Sequence, residues 1–252
     1  MKHIPGMLSL IILLSLQPVN ADTDTAKLRV LTHTVFPVSY MDTSENKIAG
    51  FATEYLRDIL EKAGVEYSLE LLPWSRAYNI ALKEPNTLLY GIARTGDREQ
   101  HFIWFEELFT SHFALYGLSS NTELAGLDML SVKKRPIGVI RNHVIQTTLR
   151  KQGFVNIIEA DTNEHLVNLL INNRVDYISI STSGAELMHI KTKFGIDQDR
   201  VTPLVDLPFL KYSIYYALNP ETDPELLNSL TIALESLKSD PDYVRPQPSL
   251  KQ

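Results

Sequence analysis

Arg94 and Arg98 stand four residues apart around a Thr-Gly-Asp turn, in GIARTGDREQHFIWFEELF. An apolar run, TLLYGIA, leads into them, so the pair sits where a buried strand should end. A guanidinium at such a place presents a planar fork of donors that matches a carboxylate. The bland alternative is a surface loop in which Arg98 pairs with Asp97, Glu99 or Glu106. Arg141, Asn142 and His143 make a second polar group after another strand, PIGVI. His143 sits at a helix start and could donate to a ligand, or else is simply exposed. Arg76 follows Trp74 closely and either packs over it or faces the same side.

Other chemistry finds little support. The seven histidines form no HExxH or His-x-His arrangement, so no metal and no cofactor is expected. STSGAE lacks the Gly-x-Ser-x-Gly elbow of a serine nucleophile, and Ser181 and Ser183 read better as helix caps. There is no cysteine for a disulfide or a lipid anchor.

The positioning elements follow from periodicity. KLRVLTH reads as a strand, and GFATEYLRDILEKAG as a helix with Phe51, Tyr55, Ile59 and Ala63 at four-residue spacing and Gly64 as its stop. Between them, FPVSYMDTSENKIAG reads as polar turn. VEYSLELLP, SRAYNIALKEP and TLLYGIA give strand, helix, strand. The pattern then restarts with HFALYGLSS, a connecting segment from Asn121, PIGVIRN, the helix HVIQTTLRKQG and VNIIEA. DTNEHLVNLLINNR is a helix with Asp161 as N-cap and Glu164 three residues on; VDYISIS, another helix, LKYSIYYALNP and a final helix from Pro224 follow. The tail from Ser239 reads as loosely ordered because prolines interrupt it.

Two α/β units imply two lobes, with residues 22–118 and 212–252 in lobe 1 and 119–211 in lobe 2. Two chain crossings make a hinge, and ligands of open α/β sheets bind beyond the carboxyl ends of strands. Residues 1–21 carry Lys2, an apolar run and a small residue at Ala21, the pattern of a cleaved secretory leader. Without Lys2 the formal charge moves from −6 to −7, which argues against nucleic acid as a partner.

TGDREQHFIWFEELF resembles the T-P-x-R-E segment of the polar-amino-acid-type solute-binding proteins of ABC importers, through Thr95, Asp97, Arg98, Glu99, Phe102 and Trp104. The Pro-aromatic loop and helix at the start, RPIGVIRNHVIQTTLRKQG, NRVDYISIS and the closing YSIYYALNPETDPELLNSLTIALESL agree in order and spacing. The resemblance implies a type II periplasmic-binding fold with a ligand between the lobes. It puts the carboxylate-binding arginine at Arg98, backbone contacts near Gly91 and Ala93, a donor at Thr95 and stacking aromatics at Trp74 and Phe36.

The sequence departs from that family twice. Asn142 stands where a glycine is usual, with His143 in place of a hydroxyl residue. Asn tolerates the left-handed backbone, so the turn survives. Ser181 stands where the family places the acid for an α-amino group, unless Glu186 or Asp161 fills that role. With Arg94 and Arg141 added, a cleft richer in cations than acids is expected, holding a carboxylate-bearing solute: an amino acid or a related anion. The implied function is periplasmic capture by a monomer for an ABC permease. The alternatives are a ligand-binding partner of a membrane sensor, or an exported enzyme on the same fold such as a cyclic-acid dehydratase.

Overall fold

The computed structural model describes residues 27–182 and 185–247, so the expected leader and Ser183 lie outside the described residues. Strand β1 (Leu28–Thr32) has Leu28, Val30, Leu31 and Thr32 buried, as a central strand covered on both faces requires. The polar segment after it is more ordered than its composition suggests. It forms a hairpin of β2 (Tyr40–Asp42) and β3 (Lys47–Ala49), turned through Asn46 at φ 49°.

Helix α1 (Phe51–Ala63) buries Tyr55, Leu56, Ile59 and Leu60 and ends at Gly64 in the left-handed conformation, φ 64°. Then come β4 (Tyr67–Leu71), α2 (Trp74–Ala81) and β5 (Thr87–Ala93), with β1 pairing in parallel between β4 and β5.

Strand β6 (Ile103–Leu118) is far longer than the stretch read as HFALYGLSS. The connecting segment holds two short helices, α3 (Thr122–Ala125) and α4 (Met129–Val132). The second unit is β7 (Ile137–Ile140), α5 (Val144–Lys151), β8 (Ile157–Ala160), α6 (Asn163–Ile171), β9 (Tyr177–Ser181) and α7 (Ala185–Lys193). The chain returns through β10 (Val201–Leu218) into α8 (Pro224–Ser239), which starts at Pro224 and is capped by Asp223.

One cap reading changes. The cap of α6 is Thr162, whose hydroxyl accepts the His165 N–H at 3.1 Å, while Asp161 turns its carboxylate to Arg141. Ser181 is the last residue of β9.

One sheet runs through both lobes in the order β4-β1-β5-β10-β6-β9-β7-β8. Ile103–His112 of β6 pairs with Lys211–Leu218 of β10, and Phe113–Tyr116 takes β9 on its other side. The β6–β10 register breaks between Asp206 and Lys211, where a bulge tucks in Leu207 and Leu210 and leaves Phe209 outside. The half of the sheet with β4, β1 and β5, together with the β2–β3 hairpin, α1, α2 and α8, is called lobe 1, and the half with β9, β7 and β8, together with α5–α7, lobe 2.

The described part of the tail is anchored, contrary to its proline-rich composition. Tyr243 Oη donates to Asp58 at 2.6 Å, and Arg245 donates to the Glu107 and Leu108 carbonyls at 3.0 Å each with its guanidinium 4.4 Å from the centre of the Tyr55 ring.

Candidate functional site

A cavity of about 600 Å³ lies between the lobes, at the carboxyl ends of the strands that feed it. Lobe 1 contributes the loop from His33 to Val38 after β1, Leu71 to Trp74 after β4, and Gly91 of β5. Phe109, Ser111 and Phe113 of β6 and Ile214 of β10 form its back. Lobe 2 contributes Ile140 and His143, the run Asp161 to Glu164, Ser179 to Ser181, and Ala185 and Glu186 of α7. Most of these side chains are apolar. Among the described residues no lysine or arginine lines the cavity; its ionisable groups are His33, His143, Asp161, Glu164 and Glu186.

Trp74 organises the lobe 1 side. Pro73 starts α2 directly after β4, which fixes the indole at the cavity wall with 2% of it exposed. Its edge meets His33 at 5.0 Å and His143 at 5.9 Å between ring centres. Its Nε1–H donates across the lobes to the Asn142 carbonyl at 3.0 Å, beside a Ser75 hydroxyl donating to the Arg141 carbonyl at 3.2 Å. Asn142 holds φ 57°, the left-handed backbone expected of it, and its N–H donates to Gln146 at 2.9 Å. Lys151 and Asp97 add an ion pair between the lobes at 2.7 Å.

Arg98 lies behind this wall. Its guanidinium stacks between Trp74 and Tyr78 at 5.1 and 5.0 Å and donates to the Ala93 carbonyl at 3.1 Å. Only 7% of it is exposed, and among the described residues no carboxylate comes within ion-pair distance. Burial lowers its pKa, although its contact with the Tyr78 hydroxyl works the other way. The field of this buried cation reaches the cavity. Burial first, and Arg98 second, push His33 down to about 4 and His143 down to about 3, so both imidazoles are neutral at pH 7. His33 Nδ1 is buried without a hydrogen-bond partner. The His143 Nδ1 accepts the Ile145 N–H at 3.4 Å.

The other arginines are engaged elsewhere. Arg94 forks onto Glu99 at 2.6 and 3.0 Å and lies over Trp104 and Tyr215. Arg141 pairs with Glu159 at 3.3 Å and Asp161 at 3.4 Å. Neither lines the cavity, and Arg76 is exposed away from it. The excess of cations expected in the cleft is therefore neutralised by acids on neighbouring loops, and what faces the cavity is apolar and acidic. Thr95 and Ala93 also stand off the cavity, where their carbonyls hold the Arg98 backbone and side chain. Gly91, Phe36, Trp74, His143 and Ser181 do line it, and the Ser181 and Ser111 hydroxyls are 3.1 Å apart.

Glu186 closes the opposite edge. It is 4% exposed, takes the Phe36 N–H from lobe 1 and accepts from Asn163 Nδ2 at 3.2 Å. Burial pushes its pKa up to about 7 in spite of those two donors. The Phe36 ring stacks on His189 of α7 at 4.7 Å with 9° between planes. The sequence offered His33 only as the polar end of β1, and Glu186 only as one possible amine partner.

The sequence matches the family "Bacterial extracellular solute-binding proteins, family 3" over residues 28–247. No curated protein matches the sequence. Among solved structures, a histidine kinase sensor domain with similarity to periplasmic binding proteins superposes with a TM-score of 0.73 at 18% identity, covering 86% of this chain and 92% of that one. A mutant of the T. maritima protein ArgBP gives 0.70 at 15% identity over 86% and 91%. An ancestral arginine-binding protein bound to arginine gives 0.69 at 19% over 86% and 94%. At these identities the likeness is one of fold.

Proposed function

We propose that this chain, which belongs to the family 3 bacterial extracellular solute-binding proteins, closes its lobes on a small solute that is apolar over most of its surface and carries a carboxylate. The observation that carries this reading is the chamber of about 600 Å³ built from both lobes, apolar around its walls, with an unpaired buried cation behind one side. That volume suits a ligand of amino-acid to dipeptide size. Arg98 supplies positive potential behind Trp74, His33 and His143, which favours the carboxylate end on that side. The rings of Phe36, Trp74 and Phe113 suit an apolar body. The acids lie on lobe 2, which narrows the amino acid or related anion expected from the sequence to an apolar amino acid or its amine-free analogue.

The hinge of this proposal is the β6–β10 ladder at its break between Asp206 and Lys211, opposite His112 and Ala114. Ala114 to Leu118, packed in the lobe 2 core, would then move with lobe 2 rather than with lobe 1 as the sequence-drawn boundary after residue 118 has it. The work is lobe closure coupled to affinity, with no bond chemistry. The setting is periplasmic, and the partner is an ABC permease or a membrane sensor that reads the closed form. No helix among the described residues is long and apolar enough to cross a membrane.

The test is thermal unfolding of the leader-free chain, stripped of carried-over solute by unfolding and refolding. The panel pairs apolar amino acids with matched carboxylic acids lacking the amine. A ligand at a thousand times its Kd raises stability by about 4 kcal/mol, a shift of several degrees. Apolar carboxylates should shift the midpoint and dicarboxylates should not. If hydrophilic dianions shift it and apolar acids do not, this account of the chamber is wrong.

A further inference from the structure

Glu186 makes a contact that solute capture alone does not require. Its carboxyl belongs to lobe 2, yet one oxygen takes the backbone N–H of Phe36 in lobe 1. The contact can exist only when the cleft is shut. Opening the lobes would return to water a carboxyl that is 4% exposed here. A carboxylate buried against an apolar wall loses hydration that two neutral donors replace only in part, whereas the protonated acid loses much less.

We infer that Glu186 is a proton-taking latch: closing the cleft binds one proton from solvent at its carboxyl group, and the acid form holds the Phe36 N–H across the lobes. The inference rests on the solute-capture reading in that it concerns the same closure. It adds a selectivity that the apolar walls cannot supply. An amine-free or neutral solute is enclosed together with a proton, whereas an ammonium group brought to Glu186 keeps the carboxylate ionised and takes the proton's place.

The groups facing Glu186 set the sign. From α6, Glu164 presents a like charge, itself paired with Lys193 at 3.2 Å, and Asn163 donates. From α7 itself come Lys193 and His189, and the first-turn position of Glu186 favours its anion. Lobe 1 brings the Phe36 N–H and, through its ring cluster with Phe36 and His189, the Tyr40 phenol. Asp161 shares the wall, and His33 and His143 line the same cavity as neutral rings. Burial and Glu164 favour proton uptake, while the Phe36 and Asn163 donors, Lys193 and the helix terminus oppose it, burial being the largest of these. The histidines act the other way on closure, since charging them in an open cleft resists burial.

The chain has no cysteine, so exposed Lys62 and Asn172 can be changed to Cys and labelled for energy transfer between the lobes. The closed-to-open ratio is read without added solute from pH 8.5 to 5.5, in this background and with Glu186→Gln added. The quotient of the two ratios cancels the histidines. A carboxyl titrating at about 7 when enclosed and near its ordinary value when open makes that quotient rise about thirtyfold on acidification. Lys193→Met, at an exposed site, should move the midpoint of the rise to higher pH and gives a second reading if Glu186→Gln folds poorly. A quotient that does not change with pH, or a midpoint indifferent to Lys193, overturns the latch. Failure of the solute panel would overturn solute capture separately, because this experiment uses protons alone.

Discussion

Arg98→Met separates a functional cation from a structural one. Arg98 is 7% exposed, held by one bond to the Ala93 carbonyl and two aromatic faces at 5.1 and 5.0 Å. Losing a charged hydrogen bond to a carbonyl costs about 1.5–3 kcal/mol. The two cation–π contacts are worth about 1 kcal/mol each, and a methionine sulfur between the same rings restores part of that. Against these losses stands relief from burying a cation with no carboxylate partner, an effective penalty of several kcal/mol. The opposing contributions leave the variant within about 2 kcal/mol of the parent, or within roughly 6 °C in Tm for a chain of this size. Methionine lacks the charge, so solutes that stabilise the parent through their carboxylate should no longer raise the midpoint. Chemical and thermal unfolding, each with and without the panel, give both numbers. A loss above about 4 kcal/mol would make Arg98 a structural tie. Undiminished stabilisation by carboxylates would remove it from recognition.

Two further outcomes follow from the same wall. Gly91 sits at φ 78°, and a Cβ there would meet His33 Cε1 at 3.3 Å. Gly91→Ala should therefore cost about 1–2 kcal/mol through the left-handed backbone, and scanning calorimetry should find Tm lower by roughly 3–6 °C; an unchanged midpoint would show that the strand relaxes freely. His33 titrates at about 4 in the folded chain, below its unfolded value, so its contribution is present above the unfolded pKa and lost as pH falls from 6.5 toward 4. His33→Gln should remove about 2 kcal/mol of the stability lost between pH 7 and 5, measured by urea unfolding at both pH values. An identical acid limb in the variant would mean that His33 opens to water before the chain unfolds.

What the sequence made legible were features whose cause is local. Gly64 ends α1 and Pro224 opens α8 because each answers a backbone need at its own position. Asn142 takes φ 57° for the same reason. The strands β6 and β10 were read short because their outer halves alternate irregularly; Ile103 to Phe109 gains its strand form from pairing with β10, which lies a hundred residues away in sequence. Charge misled for a related reason. Arg94 and Arg141 stand where strands end, and position alone could not show that Glu99 and the Glu159–Asp161 pair would take them up. Arg98 has the same residue type and a similar place, yet it is the one left without an acid. The difference lies in packing: Trp74 and Tyr78 sandwich it and leave it the Ala93 carbonyl and the Tyr78 hydroxyl in place of a carboxylate. Glu186 is the counterpart on lobe 2, an acid denied a cation and given two neutral donors instead. Each charge was visible in the sequence, but which of them the fold leaves uncompensated was not. The cleft sets a buried cation behind lobe 1 against a buried acid on lobe 2, and the proposal of a solute with two unlike ends rests on that opposition.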